Sequence, residues 1–187
     1  MRVYVIRHGE SETNRQRTWC GWMDVSLTDS GRDDAQKAGK LLEGISFDKI
    51  YSSDLKRAVE TAQIVIPHGS YETTSLLREI NVGRLAGTPL GQLTDKQKEG
   101  IVQNGYAEFD GETKEEFGDR IKRVMSHLET LNCENVALFA HAGVLRGILD
   151  TVVGSYLPRK RVLCNNCTVA VFEFANGEWA LHSWINL

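Results

Sequence analysis

Two stretches of this chain repeat one arrangement: an apolar run, then a histidine, then small residues. The first is Val5-Ile6-Arg7-His8-Gly9, and the second is Leu138-Phe139-Ala140-His141-Ala142-Gly143. Imidazole acts as nucleophile or proton carrier near neutral pH. Short apolar runs bounded by such residues read as buried strands, and ligands of open α/β sheets gather beyond the carboxyl ends of parallel strands. If the two strands are neighbours, His8 and His141 face one crevice. Gly9 and Ala142-Gly143 would let the backbone approach a ligand, and a helix opening after His141 would offer amides to an anion. Arg7 adjoins His8, and Arg57 falls in the first turn of an amphipathic stretch. Two guanidinium groups and two imidazoles in one cleft require an anion, and the arginine fork matches phosphoryl oxygens in a bidentate way.

The elements that must position these groups alternate along the chain. Val3–Ile6 reads as a strand and Thr28–Leu42 as a helix with Ala35, Ala38, Leu41 and Leu42 inward. Phe47–Tyr51 is expected as a second strand, followed by a helix capped by Asp54, whose Leu55, Ala58, Val59, Ala62 and Ile66 keep the helical period. Tyr71–Leu77 reads as a further strand and Thr94–Asn104 as a weaker helix. Thr113 and Glu116 form a capping box that opens a helix with Phe117, Ile121, Val124, Leu128 and Leu131 on one face. Val136–Ala140 is expected as a strand and Val144–Val153 as a helix. Val169–Phe174 and Trp179–Trp184 flank Asn176-Gly177 as a hairpin. The alternation predicts a three-layer α/β/α sandwich with a mostly parallel mixed sheet, a single domain over residues 1–187.

Composition narrows the function classes. The chain has 22 basic and 25 acidic residues and a net charge of −3, against the basic excess of sequence-blind nucleic-acid binders. No apolar run approaches the ~18 residues of a membrane span, and Met1-Arg2-Val3-Tyr4-Val5-Ile6-Arg7 reads as a strand rather than a secretory signal. A cytoplasmic protein without nucleic-acid or membrane partners is expected, as monomer or homodimer. Cys164-Asn165-Asn166-Cys167 lacks the second Cys/His pair of a zinc site and precedes a strand, so with Cys20 and Cys133 these read as incidental thiols. Asn166-Cys167-Thr168 matches a glycosylation sequon, which is empty without secretion. His68, His127 and His182 are given no role, and Lys56 is expected in solvent. Glu10 and Glu12 are expected to be local hydrogen-bond partners.

Arg7-His8-Gly9-Glu10, followed by Asn14 and Cys20-Gly21-Trp22, is similar to the opening of the histidine phosphatase (phosphoglycerate mutase-like) superfamily. The likeness continues in order through Leu27-Thr28-Asp29-Ser30-Gly31, Tyr51-Ser52-Ser53-Asp54-Leu55-Lys56-Arg57-Ala58, Leu77-Arg78-Glu79, Gly111-Glu112-Thr113 and His141-Ala142-Gly143. The resemblance implies that His8 is a nucleophile that becomes phosphohistidine. It implies that Arg7, Arg57 and His141 hold the phosphoryl oxygens, with Asn14, Cys20 and the Ala142 amide as further donors. Glu79 would protonate the leaving oxygen and later activate water. No metal or other cofactor is implied, because the arginines supply the positive charge.

Departures from the family pattern bear on the substrate. Cys20 stands where relatives often carry Ser, His-Ala-Gly where many carry His-Gly, and Gly83-Arg84-Leu85-Ala86-Gly87 where relatives often carry Gly-x-Trp-Glu-Gly. Trp22, Arg84 and Tyr106 are candidates for the substrate pocket. The segment Thr88–Asp110 is short, with Lys96 and Lys98 but no Arg, unlike the long insertion of phosphoglycerate mutases. The chain resembles the small phosphatase branch, which includes α-ribazole phosphatase of cobalamin biosynthesis. The expected activity is hydrolysis of a small phosphorylated metabolite, with α-ribazole 5′-phosphate as first substrate. Fructose 2,6-bisphosphate, phosphoserine, phosphoglycerate and a mutase reaction stay open. A non-catalytic phospho-metabolite sensor is the reading from another class; it would need the cationic pocket but neither His8 nor Glu79.

Overall fold

Residues 1–157 and 162–187 are described by the computed structural model. Its centre is a pair of parallel strands, β1 (Arg2–Arg7) and β4 (Asn135–Ala140), in register from Arg2 opposite Asn135 to Arg7 opposite Ala140. Beyond β4 lie β2 (Lys49–Ser53) and then the short edge strand β3 (Glu72–Thr74), both parallel. On the other side β5 (Val169–Ala175) and β6 (Glu178–Ile185) run antiparallel as the expected hairpin. The order is β3-β2-β4-β1-β5-β6, a mixed sheet with three parallel pairings and two antiparallel ones.

Both faces of the central strands are covered, which is why their sequences are apolar without alternation. Val3 and Val5 with Val136, Leu138 and Ala140 pack against α5 (Lys114–Glu129) and α6 (Ala142–Val153). Tyr4 and Ile6 with Ala137 and Phe139 face the other way, onto Ala35 and Ala38 of α2 (Asp29–Leu41) and Ala62 and Val65 of α3 (Lys56–Val65). The chain thus leaves β1 toward one face and β4 toward the opposite face. A crevice outside the carboxyl ends of the strands follows from that divergence. Among the described residues, no helix is long and apolar enough to cross a membrane.

Several expectations shift. The second strand runs two residues later than Phe47–Tyr51, and Tyr71–Leu77 divides into β3 and a 3-10 turn over Ser75–Leu77. A short helix α1 (Glu12–Gln16), too brief to show a period, was not expected, whereas α4 (Asp95–Asn104) was. Asp54 does not cap α3. Its carboxylate is held by Arg78, with Nε at 2.7 Å and Nη2 at 2.6 Å, while the Lys56 amide donates to Asp24 Oδ1 at 2.7 Å. The N-cap position is Leu55.

Candidate active site

The register that pairs Arg7 with Ala140 brings the next residues, His8 and His141, off the sheet side by side. The His8 amide donates to the Ala140 carbonyl at 3.0 Å, and the two imidazoles lie with centroids 5.0 Å apart at 61°. Both are buried. His8 Nδ1 is 2.7 Å from the Gly9 carbonyl, an oxygen that only accepts, so Nδ1 carries the proton. Nε2 therefore keeps its lone pair, which faces Arg57 Nε at 3.3 Å. In that tautomer Nε2 is the unprotonated, basic nitrogen of the ring.

Arg57 is fully buried, the bulkiest such side chain among the described residues. The first turn of α3 points it inward, and its Nη1 and Nη2 donate to the carbonyls of Met23 (2.8 Å) and Gly21 (2.9 Å). Thr61, one turn on, accepts from the Gly9 amide at 3.1 Å and donates to the Arg57 carbonyl at 2.7 Å. This ties α3 to the end of β1. Arg7 is anchored through Nη1 on the Cys164 carbonyl, and its buried Nε has no partner among the described residues. His141 Nε2 lies 2.9 Å from Ser53 Oγ, which already accepts from the Leu55 amide at 3.3 Å. Ser53 Oγ keeps a second lone pair and its own proton, so it meets Nε2 in either tautomer and leaves Nδ1 as the other ring nitrogen. That buried Nδ1 likewise has no partner among the described residues. Two buried nitrogens thus remain for a ligand, and an unmade buried hydrogen bond costs about 1–3 kcal/mol.

Burial, then Arg57 and Arg7, hold the His8 pKa well below the usual imidazole value of 6.5. Burial, then Arg57, His8, Arg7 and Arg120, do the same for His141. Arg57 is itself lowered by burial, against the attraction of Cys20, Glu79 and Asp24. The cluster therefore carries guanidinium charge beside neutral imidazoles. A test follows. Unfolded histidines take up protons as pH falls below about 6.5, whereas these two do not, so the stability that their neutral burial allows is lost on acidification through that value. An NMR titration should find both rings neutral at pH 6.5; half-protonation there would contradict the geometry.

Glu79 enters from the loop after the Ser75–Leu77 turn. Its Oε1 and Oε2 accept from the Gly143 amide at 3.1 and 3.3 Å, and Oε1 also accepts from the Ile80 amide at 2.9 Å. The carboxylate thus sits at the N-terminus of α6, two residues from His141. Gly143 makes room for it, because a Cβ there would lie 2.1 Å from Oε1. Gly9 has a different role from the expected approach to a ligand: a Cβ on it would lie 2.3 Å from the Gly31 carbonyl, so it packs against α2.

Asn14 lies in α1, and its Oδ1 accepts from the Ser11 amide (3.1 Å), Ser11 Oγ (3.0 Å) and Asn166 Nδ2 (3.1 Å). With its oxygen so occupied, the Asn14 side chain offers only N–H donors. Asn166 also donates to the His8 carbonyl at 3.1 Å, and sequence reasoning missed it. It lies between two cysteines whose thiols are buried; burial raises Cys164 and pushes Cys167 up to about 12. Such thiols are inert, and the asparagine between them serves the site.

The remaining expected pocket residues divide. Ala142 opens α6 beside the cluster. Cys20 is near enough to act on Arg57 electrostatically, but its thiol turns to the Met23 carbonyl at 3.8 Å. Trp22, 40% exposed, donates through Nε1 to the Glu79 carbonyl at 2.7 Å and lies under Arg78. Arg84 is drawn outward by Asp110 (2.6 Å) and the Glu108 carbonyl (2.9 Å) and does not join the cluster. Tyr106 is buried in a satellite core beside Trp19. Glu10 takes the local role expected, accepting from Thr28 Oγ1 at 2.7 Å.

The mixed sheet thus carries two histidines at adjacent strand ends, beside the buried Arg57 and the partly buried Arg7. A family profile described as histidine phosphatase superfamily (branch 1) matches residues 3–187, and the chain belongs to that superfamily. Broad-specificity phosphatase YOR283W of Saccharomyces cerevisiae is 30% identical over 188 residues, spanning 93% of this chain and 80% of that protein. TTHB049 from Thermus thermophilus superposes with a TM-score of 0.80 at 28% identity, over 100% of both chains. Phosphoglycerate mutase from the same organism gives 0.77 at 27%, over 100% of this chain and 99% of that one. The protein is a phosphatase of the histidine phosphatase/phosphoglycerate mutase-like class.

Proposed function

We propose that this protein hydrolyses a small phosphomonoester through a phosphohistidine at His8 Nε2. The observation that carries the reading is the fixed tautomer of His8, with the Nε2 lone pair beside Arg57 and the Nδ1 proton donated to the Gly9 carbonyl. In the first step Nε2 attacks phosphorus as the ester P–O bond breaks, and Glu79 gives its proton to the departing alkoxide. In the second step Glu79 takes a proton from water, which attacks phosphorus and releases phosphate from the ring. Arg57, Arg7 Nε, His141 Nδ1 and the Asn14 amide stabilise the charge on the equatorial oxygens. Fixed donors of this kind supply the largest share of catalysis where charge develops in a site shielded from water. A sensor without turnover would need neither the nucleophile nor the acid proposed here.

The substrate is proposed from the small phosphatase branch that the motifs resemble, with α-ribazole 5′-phosphate tried first. Likeness to a phosphoglycerate mutase keeps the mutase reaction as the second reading. A panel of α-ribazole 5′-phosphate, fructose 2,6-bisphosphate, phosphoserine and 3-phosphoglycerate, scored by free phosphate and kcat/KM, tests the first. Adding 2,3-bisphosphoglycerate as primer tests the second. Hydrolysis of at least one ester is expected. Isomerisation of phosphoglycerate that outpaces phosphate release from every ester would overturn the phosphatase reading.

Gly143→Ala offers a test directed at the acid, since the added Cβ would meet Glu79 Oε1 at 2.1 Å and, less tightly, the Ile80 side chain at 2.9 Å. The added methyl must push the Glu79 carboxylate outward by more than 1 Å to reach ordinary contact, a displacement that costs about 10²-fold in rate. Phosphate affinity should change little, because Gly143 touches none of the proposed phosphoryl donors. A fall in affinity with the rate preserved would contradict the placement.

A further inference from the structure

The segment bearing Glu79 has no regular structure between the 3-10 turns Ser75–Leu77 and Gly83–Leu85, yet, besides the Trp22 contact to the Glu79 carbonyl, it is gripped by an ion pair. Arg120, on α5, donates through Nη1 to the carbonyls of Leu76 (2.9 Å) and Arg78 (2.7 Å), and through Nη2 to that of Glu79 (3.3 Å). The same guanidinium takes Glu112 bidentately, Nε to Oε1 at 2.8 Å and Nη2 to Oε2 at 2.7 Å. Glu112 Oε2 in turn accepts from the Asn81 amide at 3.2 Å. One ion pair, each side chain only 10% exposed, therefore holds main chain on both sides of Glu79.

A buried ion pair is a poor device for stability alone, since its desolvation offsets much of its attraction. What this pair supplies is a rigid planar fork meeting three backbone carbonyls at once, which neither lysine nor an apolar pair reproduces. We propose that Arg120 and Glu112 are positioning residues that set the reach of the Glu79 carboxyl toward the leaving oxygen. The inference rests on Glu79 being the acid, as assigned above. Neither side chain hydrogen-bonds to the histidine–arginine cluster, and both grip the loop that carries Glu79.

The readout is leaving-group selectivity. Phenyl phosphate needs protonation of its departing oxygen far more than para-nitrophenyl phosphate does, and the two differ little in shape. Comparing kcat/KM keeps the test on the first phosphoryl transfer, before the shared hydrolysis of phosphohistidine. For Arg120→Lys and for the isosteric Glu112→Gln, the phenyl to para-nitrophenyl ratio should fall about 10-fold or more, the scale of a mispositioned general acid. Loss of structure alone lowers both substrates in proportion and leaves the ratio unchanged. An unchanged ratio in Glu112→Gln, with thermal unfolding showing the variant folded, overturns the proposal. Glu79→Gln is the control. A reduced ratio there with no reduction in either positioning variant sinks only the inference, whereas no reduction in Glu79→Gln sinks the assignment of the acid beneath it.

Discussion

His8→Ala should abolish turnover, lowering kcat/KM for para-nitrophenyl phosphate by roughly 10⁴-fold or more, the scale of nucleophile loss in covalent catalysis. The variant removes the lone pair that Arg57 faces but leaves the anchors of the pocket intact: Arg57 on Met23 and Gly21, Arg7 on Cys164, His141 on Ser53. Inorganic phosphate should therefore still bind, with an affinity within about 10-fold of wild type, because the charged donors carry the binding. The combination of lost chemistry and kept binding separates a missing nucleophile from a collapsed site. Activity within tenfold of wild type would remove His8 from the proposed mechanism. Phosphate binding with no turnover by either protein would favour the sensor.

Arg57→Lys should cost about 10²–10³-fold in kcat/KM, the scale of losing a fixed donor to developing negative charge. Lysine keeps the charge, but as a compact, strongly hydrated point it cannot span His8 and two loop carbonyls at once. The Met23 and Gly21 carbonyls lose their donors, and each buried acceptor left unpaired costs about 1–3 kcal/mol. The melting temperature should drop by several degrees, since about 1 kcal/mol shifts a chain of this size by roughly 2–4 °C. Release of that loop also frees Trp22 from the Glu79 carbonyl, so KM should rise while kcat falls. A variant that loses stability but keeps kcat would mean that Arg57 is a structural tie and not a phosphoryl donor.

What could be read from the sequence was local or periodic. The strands ending at His8 and His141 are apolar because both faces are covered, and that burial announces them. The hairpin was equally plain, because Asn176 and Gly177 both take positive φ, at 54° and 80°. Failures came where a distant group decided a local outcome. Asp54 had the right type for an N-cap, but Arg78, remote in sequence, takes its carboxylate and Asp24 takes the helix amide. Arg120 adjoins the apolar stripe of α5, and helical periodicity does not distinguish a charge buried against Glu112 from one in solvent. Asn166 lies inside a Cys-x-x-Cys spacing that signals metal or redox chemistry, and nothing local marks it as the donor to Asn14, remote in sequence. Gly9 and Gly143 were recognised as close approaches, but the partners proved to be Gly31 and Glu79, which only the fold brings near.

The proposed mechanism turns on a covalent bond between phosphorus and His8 Nε2, which rapid-quench trapping with a radiolabelled phosphomonoester tests directly. Within the first turnover the label should appear on His8, stable to base and lost in acid, and should form and decay no more slowly than kcat. Steady release of labelled phosphate with His8 never labelled would contradict it.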